Sequence, residues 1–355
     1  MEKINVMVLY GGCSNEHEVS KSSAITVISN IPADKYNTIP VYITPQGKWL
    51  LYDGYVDNIR HIKWDKFGTP VALNPDRTQK SLLRIVGNKV KAIPIDIAFP
   101  VLHGKNGEDG TIQGLFELAG LPYVGSGVLS SAICMDKSFC KQTVGLLGIP
   151  QADYIVFDRN DLADLDSVTK AVRFQIGYPC FIKPASGGSS IGISKATNKK
   201  TLEKALLAAA EHDRKVIAEK AVAGRELECS VLGSGGDDTE ASAVGEILPG
   251  ADFYDYDDKY NNNTAKTIAP ADIPEHISEE IRQSAVKIFK ALDGHGLARV
   301  DFFLQEDGQN VVFNEINTMP GFTNISMYPK LWEVSGVNLP ALLDRLITLG
   351  LNRYE

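Results

Sequence analysis

Short runs of apolar and β-branched residues alternate with helical patterns along this chain, as in proteins of the α/β class. The first predicted strand ends at Gly11-Gly12, and residues 45–90 are irregular, which predicts hairpins and loops inserted into the same region. The alternation indicates an α/β fold in which helices cover the sheets. In the first third of the chain, the predicted strands are residues 4–10, 37–43 and 95–102, and the predicted helix is 18–28.

The alternation continues beyond residue 110, and Ile149-Pro150 marks a predicted domain junction. One apolar stripe begins just after Ser278, which makes this residue the candidate N-cap of its helix. Helices are predicted at residues 111–119, 136–147, 201–211 and 279–292, strands at 181–182, at 216–219 and in a segment that ends at Val124, and a hairpin at 227–232 and 241–247.

Length and composition restrict the class of protein. A chain of 355 residues, 44% hydrophobic and 23% charged, has room for two or three globular domains. Its net charge of −8 gives no general attraction to nucleic acid or to an anionic membrane surface. No apolar run approaches the ~18 residues of a membrane span, and the first residues do not resemble a secretory signal.

The five cysteines are widely spread and form no C-x-x-C pair. They are typical of reduced residues that pack in the interior of a cytosolic protein. We therefore expect a cytoplasmic protein without nucleic-acid or membrane partners.

The segment 297–321 contains an informative set of polar residues. Because side chains alternate along a strand, Arg299 and Asp301 share a face of one predicted strand, and Glu315 and Asn317 share a face of the next. The turn between the strands decides whether the two faces coincide. If they do, two carboxylates and an amide oxygen converge, a donor set that suits Mg²⁺.

Two turns fit the sequence between these strands. A two-residue turn pairs Asp301 with Asn314 and puts Glu315 on the opposite side of the hairpin. A three-residue turn, with Gly308 in the left-handed conformation, pairs Arg299 with Glu315 and makes Asp301 their diagonal neighbour. The strands are otherwise strongly apolar, and unpaired acids are costly in a buried sheet, so we favour the second register over an exposed charged face.

Four further segments place charged or aromatic residues in predicted loops. An apolar strand leads into Lys183 and a Gly/Ser-rich loop that suits a polyphosphate, although it is not a Walker A loop. Glu16 and Glu18 follow a Gly-Gly turn, where they would repel phosphate and fit a substrate ammonium. Residues 103–114 follow a strand at its carboxyl end, and residues 253–260 (FYDYDDKY) suit a flap that excludes water. Each segment also has a purely structural interpretation. The Gly/Ser-rich loop could be a surface loop, Glu16 and Glu18 could complement a helix dipole, His103 could be a packed or capping residue, and residues 253–260 could be a loop anchored by its aromatic residues.

In this order, the segments resemble the D-alanine–D-alanine ligase family of ATP-grasp enzymes over essentially the whole chain. HGKNGEDGTIQG at residues 103–114 resembles the first family signature, and LARVDFFLQEDGQNVVFNEINTMPG at 297–321 resembles the second. The resemblance implies a three-domain α/β ATP-grasp architecture with ATP between the second and third domains. The implied domains are an N-terminal parallel-sheet domain at 1–124, a central domain at 125–221 and a C-terminal domain at 222–355.

The resemblance also implies a reaction and the residues that carry it. Two D-alanines would be joined through an acyl phosphate at the expense of ATP, with two Mg²⁺ ions or Mn²⁺ in their place. Glu16 would hold the ammonium of the first D-alanine near His103. Arg299 and the N–H of Gly321 would face the oxyanion, and Ser326 would hold the second carboxylate beside Met327. The implied ATP contacts are Lys137, Lys183, Glu219, Lys220, Val222, Glu226, Phe253 and Lys259; the metal ligands are Asp301, Glu315 and Asn317; and Glu16, Ser189 and Tyr260 would link the closed domains.

The second substrate is the main alternative that the resemblance leaves open. Lactate-forming relatives lack the flap tyrosine, and serine- and lactate-forming relatives commonly carry arginine after the serine. Here the flap includes Tyr260 and Met327 follows Ser326, which favours D-alanine over D-serine and D-lactate. A nucleotide-binding module without ligase activity and another ATP-grasp carboxylate–amine ligase are more distant alternatives. A homodimer is expected by resemblance.

Overall fold

The computed structural model describes residues 2–60, 68–188, 191–248 and 266–354. Its strands form three sheets. The strands are β1 (Ile4–Gly11), β2 (Tyr36–Ile43), β3 (Trp49–Leu51), β4 (Thr69–Leu73), β5 (Ser81–Val86), β6 (Lys89–Pro94), β7 (Ile97–Val101), β8 (Tyr154–Asp158), β9 (Cys180–Pro184), β10 (Ser194–Ala196), β11 (Lys215–Lys220), β12 (Gly224–Gly233), β13 (Glu240–Leu248), β14 (Lys266–Ile268), β15 (Gly296–Gln305) and β16 (Val311–Asn317). The helices are α1 (His17–Asn30), α2 (Thr111–Ala119), α3 (Val128–Met135), α4 (Lys137–Gly145), α5 (Leu165–Gln175), α6 (Lys199–His212), α7 (Glu275–Ala291), α8 (Met327–Val334) and α9 (Leu339–Leu351).

The first sheet has the strand order β6-β5-β4-β3-β2-β1-β7. Only its β2-β1-β7 part is parallel, and the remaining neighbours are antiparallel. The α/β class is confirmed, but the expected parallel sheet is mixed, because strands joined by short turns pair antiparallel. The irregular stretch of residues 45–90 supplies β3 to β6. The carboxyl ends of β1 and β7 lie side by side, which places the segments after them at one edge of the sheet.

The other two sheets are antiparallel. The second has the order β10-β9-β11-β8, and the third has the order β14-β13-β12-β15-β16. In the third sheet, β15 lies between β12 and β16, so side chains from three adjacent strands can meet on one face. The predicted domain bounds remain predictions.

Three local predictions differ from the structure. Helix α7 begins at Glu275, and the N–H of Ser278 already donates to the carbonyl of Pro274, so Ser278 lies inside the helix and is not its N-cap. The strand expected to end at Val124 is reduced to a single bridge between Ala98 and Tyr123. All five cysteines are free thiols, but Cys13 is exposed and does not pack in the interior as predicted.

The first sheet shares its apolar core with the last two helices of the chain. Val8 and Phe99 belong to the same buried cluster as Trp332 and Leu346. At the edge of this contact, Asp344 on α9 accepts hydrogen bonds from Lys35 Nζ and from Tyr36 Oη, each at 2.8 Å. The two ends of the chain are therefore packed together.

Within the described residues, no single helix is both long and apolar enough to cross a membrane. The last two helices satisfy that test only when they are taken together, and they bend by 107° where they meet.

Candidate active site

The hairpin β15–β16 brings four predicted polar residues to one face of the third sheet. Arg299 lies opposite Asn317, and Asp301 lies opposite Glu315. The amide nitrogen of Asn317 donates to Asp301 Oδ2 at 3.1 Å. The convergence expected from the sequence is therefore present in the structure.

The register that produces this convergence was not predicted. Next to the turn, the strands follow the alignment of the two-residue alternative, with Leu304 opposite Val311. A β-bulge at Asn314 then shifts β16 by one residue, so that Asp301 lies opposite Glu315. The bulge, and not the length of the turn, directs the second carboxylate to the same face as the first.

Arg299 is held between two buried carboxylates. Its Nε and Nη2 donate to the two oxygens of Asp301 at 2.8 and 2.7 Å, and its Nε lies 3.2 Å from Glu228 Oε1. Burial alone would lower the pKa of Arg299, but Asp301 and Glu228 raise it well above its usual range. The guanidinium is therefore a fixed positive charge, which suits the stabilisation of an oxyanion.

Glu228 is a site residue that the sequence analysis missed. It lies opposite Asp301 on β12, so Glu228, Asp301 and Glu315 form a row across three strands. Its spacing of two residues from Glu226 was the available signal, since residues i and i+2 of a strand share a face.

The donors on this face fit a hard divalent cation. Asp301, Glu315 and Asn317 offer two carboxylates and an amide, the oxygen ligands that Mg²⁺ prefers. In the part of the chain that the structure describes, no three His, Cys, Asp or Glu side chains are grouped as a metal site. Arg299 and Asn317 already engage the oxygens of Asp301, so a bound cation would share that carboxylate with them.

Lys137 connects the acidic hairpin with the glycine-rich loop. It is the first residue of α4, whose N-cap Asp136 accepts from two backbone N–H groups and pairs with Lys215. Lys137 Nζ donates to the carbonyl of Gly187 at 2.7 Å and lies 3.6 Å from Glu315 Oε2. A phosphate group in this gap would meet a fixed cation.

The buried carboxylate of Glu219, on the second sheet, joins one lysine of that sheet and one lysine of α4. Glu219 Oε2 accepts from Lys183 Nζ at 2.8 Å, and Glu219 Oε1 lies 2.8 Å from Lys141 Nζ. Burial alone would raise the pKa of Glu219, but Lys183 and Lys141 lower it to about 2. Lys141 was not predicted; it lies four residues after Lys137 on α4, which places both lysines on one side of the helix.

The other predicted ATP-binding residues that the structure describes are Lys220, Val222 and Glu226, and their contacts with ATP remain predictions. Lys220 and Val222 line a second cleft, of about 390 Å³, together with Gln305 of the hairpin. Glu226 lies near Lys183: burial would lower the pKa of Lys183, whereas Glu219 and, more weakly, Glu226 raise it.

Two loops of the first sheet reach the same region. Glu16 precedes α1, and its carboxylate fills the space that a side chain at Gly104 or Gly188 would need. The ring of His103 is engaged on both nitrogens, by the carbonyl of Met319 at 3.0 Å and by Ser23 Oγ at 3.1 Å. Burial lowers the pKa of His103, so the ring is neutral at neutral pH. A direct contact of His103 with substrate remains a prediction.

Glu108 is a further residue that the sequence analysis did not single out, although it lies inside the first signature. Its Oε2 accepts from the N–H of Gly104 at 2.6 Å, and its Oε1 accepts from the N–H of Met319 at 3.2 Å. Burial raises the pKa of Glu108 to about 8, and the nearby Glu16 adds to the shift.

Gly321, Ser326 and Met327 also line the site. A Cβ at Gly321 would lie 2.7 Å from Ser326 Oγ, so this position has no room for a side chain. Ser326 Oγ accepts from the N–H of Thr323 at 3.0 Å. Met327 is buried against Ile247 of the third sheet.

One cavity, of about 150 Å³, collects most of these groups. Ser189, Phe253, Lys259 and Tyr260, which were predicted as site residues, lie outside the described residues. The predicted residues that line the cavity are Glu16, His103, Lys137, Arg299, Glu315, Asn317, Gly321, Ser326 and Met327.

Comparison with known proteins places both halves of the chain in one family. The family models described as D-ala D-ala ligase N-terminus and D-ala D-ala ligase C-terminus match residues 5–126 and 144–348. The chain is 50% identical over 368 aligned positions to the D-alanine–D-alanine ligase of Acetivibrio thermocellus, with 100% of this chain and 97% of the relative covered. It is 48% identical to that of Caldicellulosiruptor bescii, with 99% and 96% covered.

Solved structures show the same relationship. The VanG D-Ala:D-Ser ligase from Enterococcus faecalis superposes with a TM-score of 0.89 at 41% identity, covering 98% of this chain and 100% of that one. The D-alanine-D-alanine ligase from Coxiella burnetii superposes with a TM-score of 0.88 at 35% identity, covering 99% and 95%. The fold is thus of the ATP-grasp type, and the chain belongs to the D-alanine–D-alanine ligase family.

Proposed function

We propose that this protein joins two D-alanines into D-alanyl-D-alanine, a peptidoglycan precursor, with ATP converted to ADP and phosphate. The observation that carries the proposal is the shared cavity, which is lined by Glu16, Arg299, Gly321 and Ser326 together. An acid for an ammonium group, a hydroxyl for a carboxylate and two donors for an oxyanion are the groups that this condensation needs.

The reaction would proceed through an acyl phosphate. The carboxylate of the first D-alanine attacks the γ-phosphorus of ATP, and ADP leaves. The amine of the second D-alanine then attacks the activated carbonyl, loses a proton and expels phosphate. Lys137 and Lys183 provide cations for the phosphates, and Glu16 holds the first ammonium, so the reacting groups are positioned before either step.

Arg299 and the Gly321 N–H would stabilise the negative charge of the tetrahedral intermediate. Such preorganised donors are worth roughly 3–4 kcal/mol each in comparable sites. Arg299 is already fixed by Asp301 and Glu228, so little reorganisation is needed when the charge develops.

The family uses ATP and a divalent metal, and we assign the residues that would bind them as follows. Two Mg²⁺ ions, or Mn²⁺ in their place, would be held by Asp301, Glu315 and Asn317 and would neutralise charge on the transferring phosphoryl group. Phe253 and Lys259, on the predicted flap, would cover the adenine and the γ-phosphate. Ser189 and Tyr260 would complete the closed state with Glu16.

D-alanyl-D-serine synthesis is the second candidate, because the VanG D-Ala:D-Ser ligase is among the structural neighbours. The residue after Ser326 favours the first candidate. Met327 is buried and apolar, and it offers no charge or hydrogen-bond donor to a second substrate with a hydroxymethyl group. A homodimer in the cytoplasm completes the proposal.

Release of phosphate from ATP, measured with D-alanine alone and then with added D-serine or D-lactate, tests the proposal. We expect release with D-alanine alone and a D-alanyl-D-alanine product identified by mass spectrometry. Arg299→Ala should lower kcat by at least 100-fold while ATP still binds, since one oxyanion donor contributes about 10²–10³ in rate. Arg282→Ala, on α7, is the matched control and should retain full activity.

The possible outcomes separate the candidates. Absence of release with D-alanine alone would overturn the proposal, and release that requires D-serine would support the second candidate. ATP binding without any release under all conditions would indicate a nucleotide-binding module. Normal turnover by Arg299→Ala would remove that residue from the mechanism.

A further inference from the structure

The loop after β16 carries Gly321 and is fixed to the N-terminal part of the chain on both sides of that glycine. On one side, the Met319 carbonyl accepts a hydrogen bond from the His103 ring at Nδ1, at 3.0 Å. On the other side, the N–H of Phe322 donates to Ser23 Oγ at 3.2 Å. Ser23 Oγ also lies 3.1 Å from His103 Nε2, which closes the connection between the two contacts.

The chemistry of these groups fixes the direction of every hydrogen bond. A carbonyl only accepts, so Nδ1 of His103 carries the proton that is donated to Met319. In the neutral ring, Nε2 is then an acceptor, and the hydroxyl of Ser23 must donate to it. The oxygen of Ser23 keeps lone pairs and accepts the N–H of Phe322. Ser23 is therefore the single group that is both donor and acceptor between the loop and the histidine.

The network is shielded from water. Ser23 and Phe322 are inaccessible, and His103 is 5% exposed. The ring of Phe322 packs edge-on against Phe99 and Tyr328, with centroid distances of 6.1 and 5.7 Å. Removal of the Ser23 hydroxyl would leave a buried N–H and a buried ring nitrogen without partners, which the loop can relieve only by moving.

We propose that Ser23 is a positioning residue that sets the direction of the Gly321 N–H toward the oxyanion, by holding Phe322 directly and Met319 through His103. The proposal deepens the proposed function and rests on it. Ser23 lies seven residues after Glu16, so both project from one side of α1 or its start. The helix that would carry the contact to the first ammonium therefore also holds the oxyanion loop.

Ser23→Ala, Ser23→Thr and the control Ser22→Ala on the same helix test this role by steady-state kinetics. For Ser23→Ala we expect kcat to fall about 10- to 100-fold, less than for outright loss of a donor, with the KM for ATP unchanged within about twofold. Affinity for a tetrahedral phosphinate analogue of the reaction should fall in parallel with kcat/KM. Ser23→Thr, which keeps the hydroxyl, should recover most of the rate.

Two kinetic results would overturn the proposal. One is full activity of Ser23→Ala. The other is a loss of nucleotide affinity that parallels the loss of kcat, since it would show a general structural role. If the wild-type protein releases no phosphate with D-alanine, the proposed function is wrong. The hydrogen-bond network of Ser23 is then tested separately, by spectroscopy.

The ¹⁵N spectrum of the protein labelled at histidine reports the tautomer independently of activity. His103→Gln assigns the His103 signals in the wild-type protein. We expect the Nδ1–H tautomer with Nε2 as acceptor, and a shift of the Nε2 signal in Ser23→Ala but not in Ser22→Ala. An Nε2–H tautomer, or signals that do not respond to Ser23→Ala, would refute the proposal whether or not the protein is an active ligase.

Discussion

Two buried glutamates, Glu219 and Glu108, have pKa values that are shifted in opposite directions. Glu219 is buried between Lys183 and Lys141; burial would raise its pKa, but the lysines lower it to about 2. Glu108 lines the cavity and accepts from backbone N–H groups; burial and then Glu16 raise its pKa to about 8. Desolvation acts in the same direction on both, so the neighbours decide which carboxylate is ionised.

This difference in ionisation between Glu219 and Glu108 matches the two kinds of ligand that the protein is proposed to bind. On the nucleotide side, the ionised Glu219 balances only one of the two charges of Lys141 and Lys183, which leaves positive charge for phosphate, and Lys137 lies near Glu315 of the predicted metal site. On the amino-acid side, the acid nearest the proposed ammonium is Glu16, and Glu108 holds backbone groups in place.

The largest loss of stability should come from removing the charge of Glu219. Glu219→Gln leaves Lys183 and Lys141 buried without their counter-charge, and we expect the free energy of unfolding to fall by about 3 kcal/mol. Urea denaturation measures it. The control is Glu203→Gln, whose partner Lys199 is exposed on the protein surface. Equal stability of the two variants would show that Glu219 is not held by its lysines.

An intermediate change in stability is expected from Glu108, the glutamate whose pKa is raised. The pKa of Glu108 is about 8 in the folded protein and near 4.5 in the unfolded chain. The folded state therefore holds the proton more tightly, and its stabilising contribution is complete below pH ~4.5 and is lost as pH rises through ~8.

Glu108→Gln has no titratable group at this position, so its stability should not fall with pH for this reason. Because the cavity admits solvent, the difference in stability between variant and wild type should change only on the order of 1–2 kcal/mol from pH 5 to pH 8.5, in favour of the variant. Thermal unfolding across this range measures the slope. Parallel pH profiles for the two proteins would mean that Glu108 is ionised when folded.

The smallest effect is expected from an exposed ion pair in which a lysine lowers the pKa of an acid, as the lysines do for Glu219. Lys199 Nζ lies 2.5 Å from Asp166 Oδ1 on the surface, and Lys199 lowers the pKa of Asp166. Solvent screens this pair, so Asp166→Asn should leave the melting temperature unchanged within error. A clear loss of stability would contradict the view that burial, more than proximity, gives the Glu219 cluster its strength.

The sequence was sufficient for the α/β class, the order of most helices and strands, and the hairpin as the centre of the site. Period-two spacing found Asp301 and Glu315, because alternation along a strand is a local property. The bulge at Asn314 could not be predicted, since β16 is an edge strand and its alignment with β15 is set by tertiary contacts that the local pattern does not show.

Other features were missed for the same reason. Lys141, Glu108 and Glu228 each have at least one partner far along the chain, which local patterns do not reveal. Ser278 looked like an N-cap by residue type, but the helix begins one turn earlier at Glu275, after Pro274. Cys13 was expected in the interior and is exposed, because it lies in the loop between β1 and α1.

The packing of α9 on the first sheet has a consequence for how the protein is made. Strands β1 and β7 emerge from the ribosome early, but part of their apolar face is covered by Leu342, Leu346 and other residues near the end of the chain. The first sheet therefore stays incompletely covered until synthesis is almost finished. A truncation before Leu339 would expose that face and favour aggregation of the nascent protein.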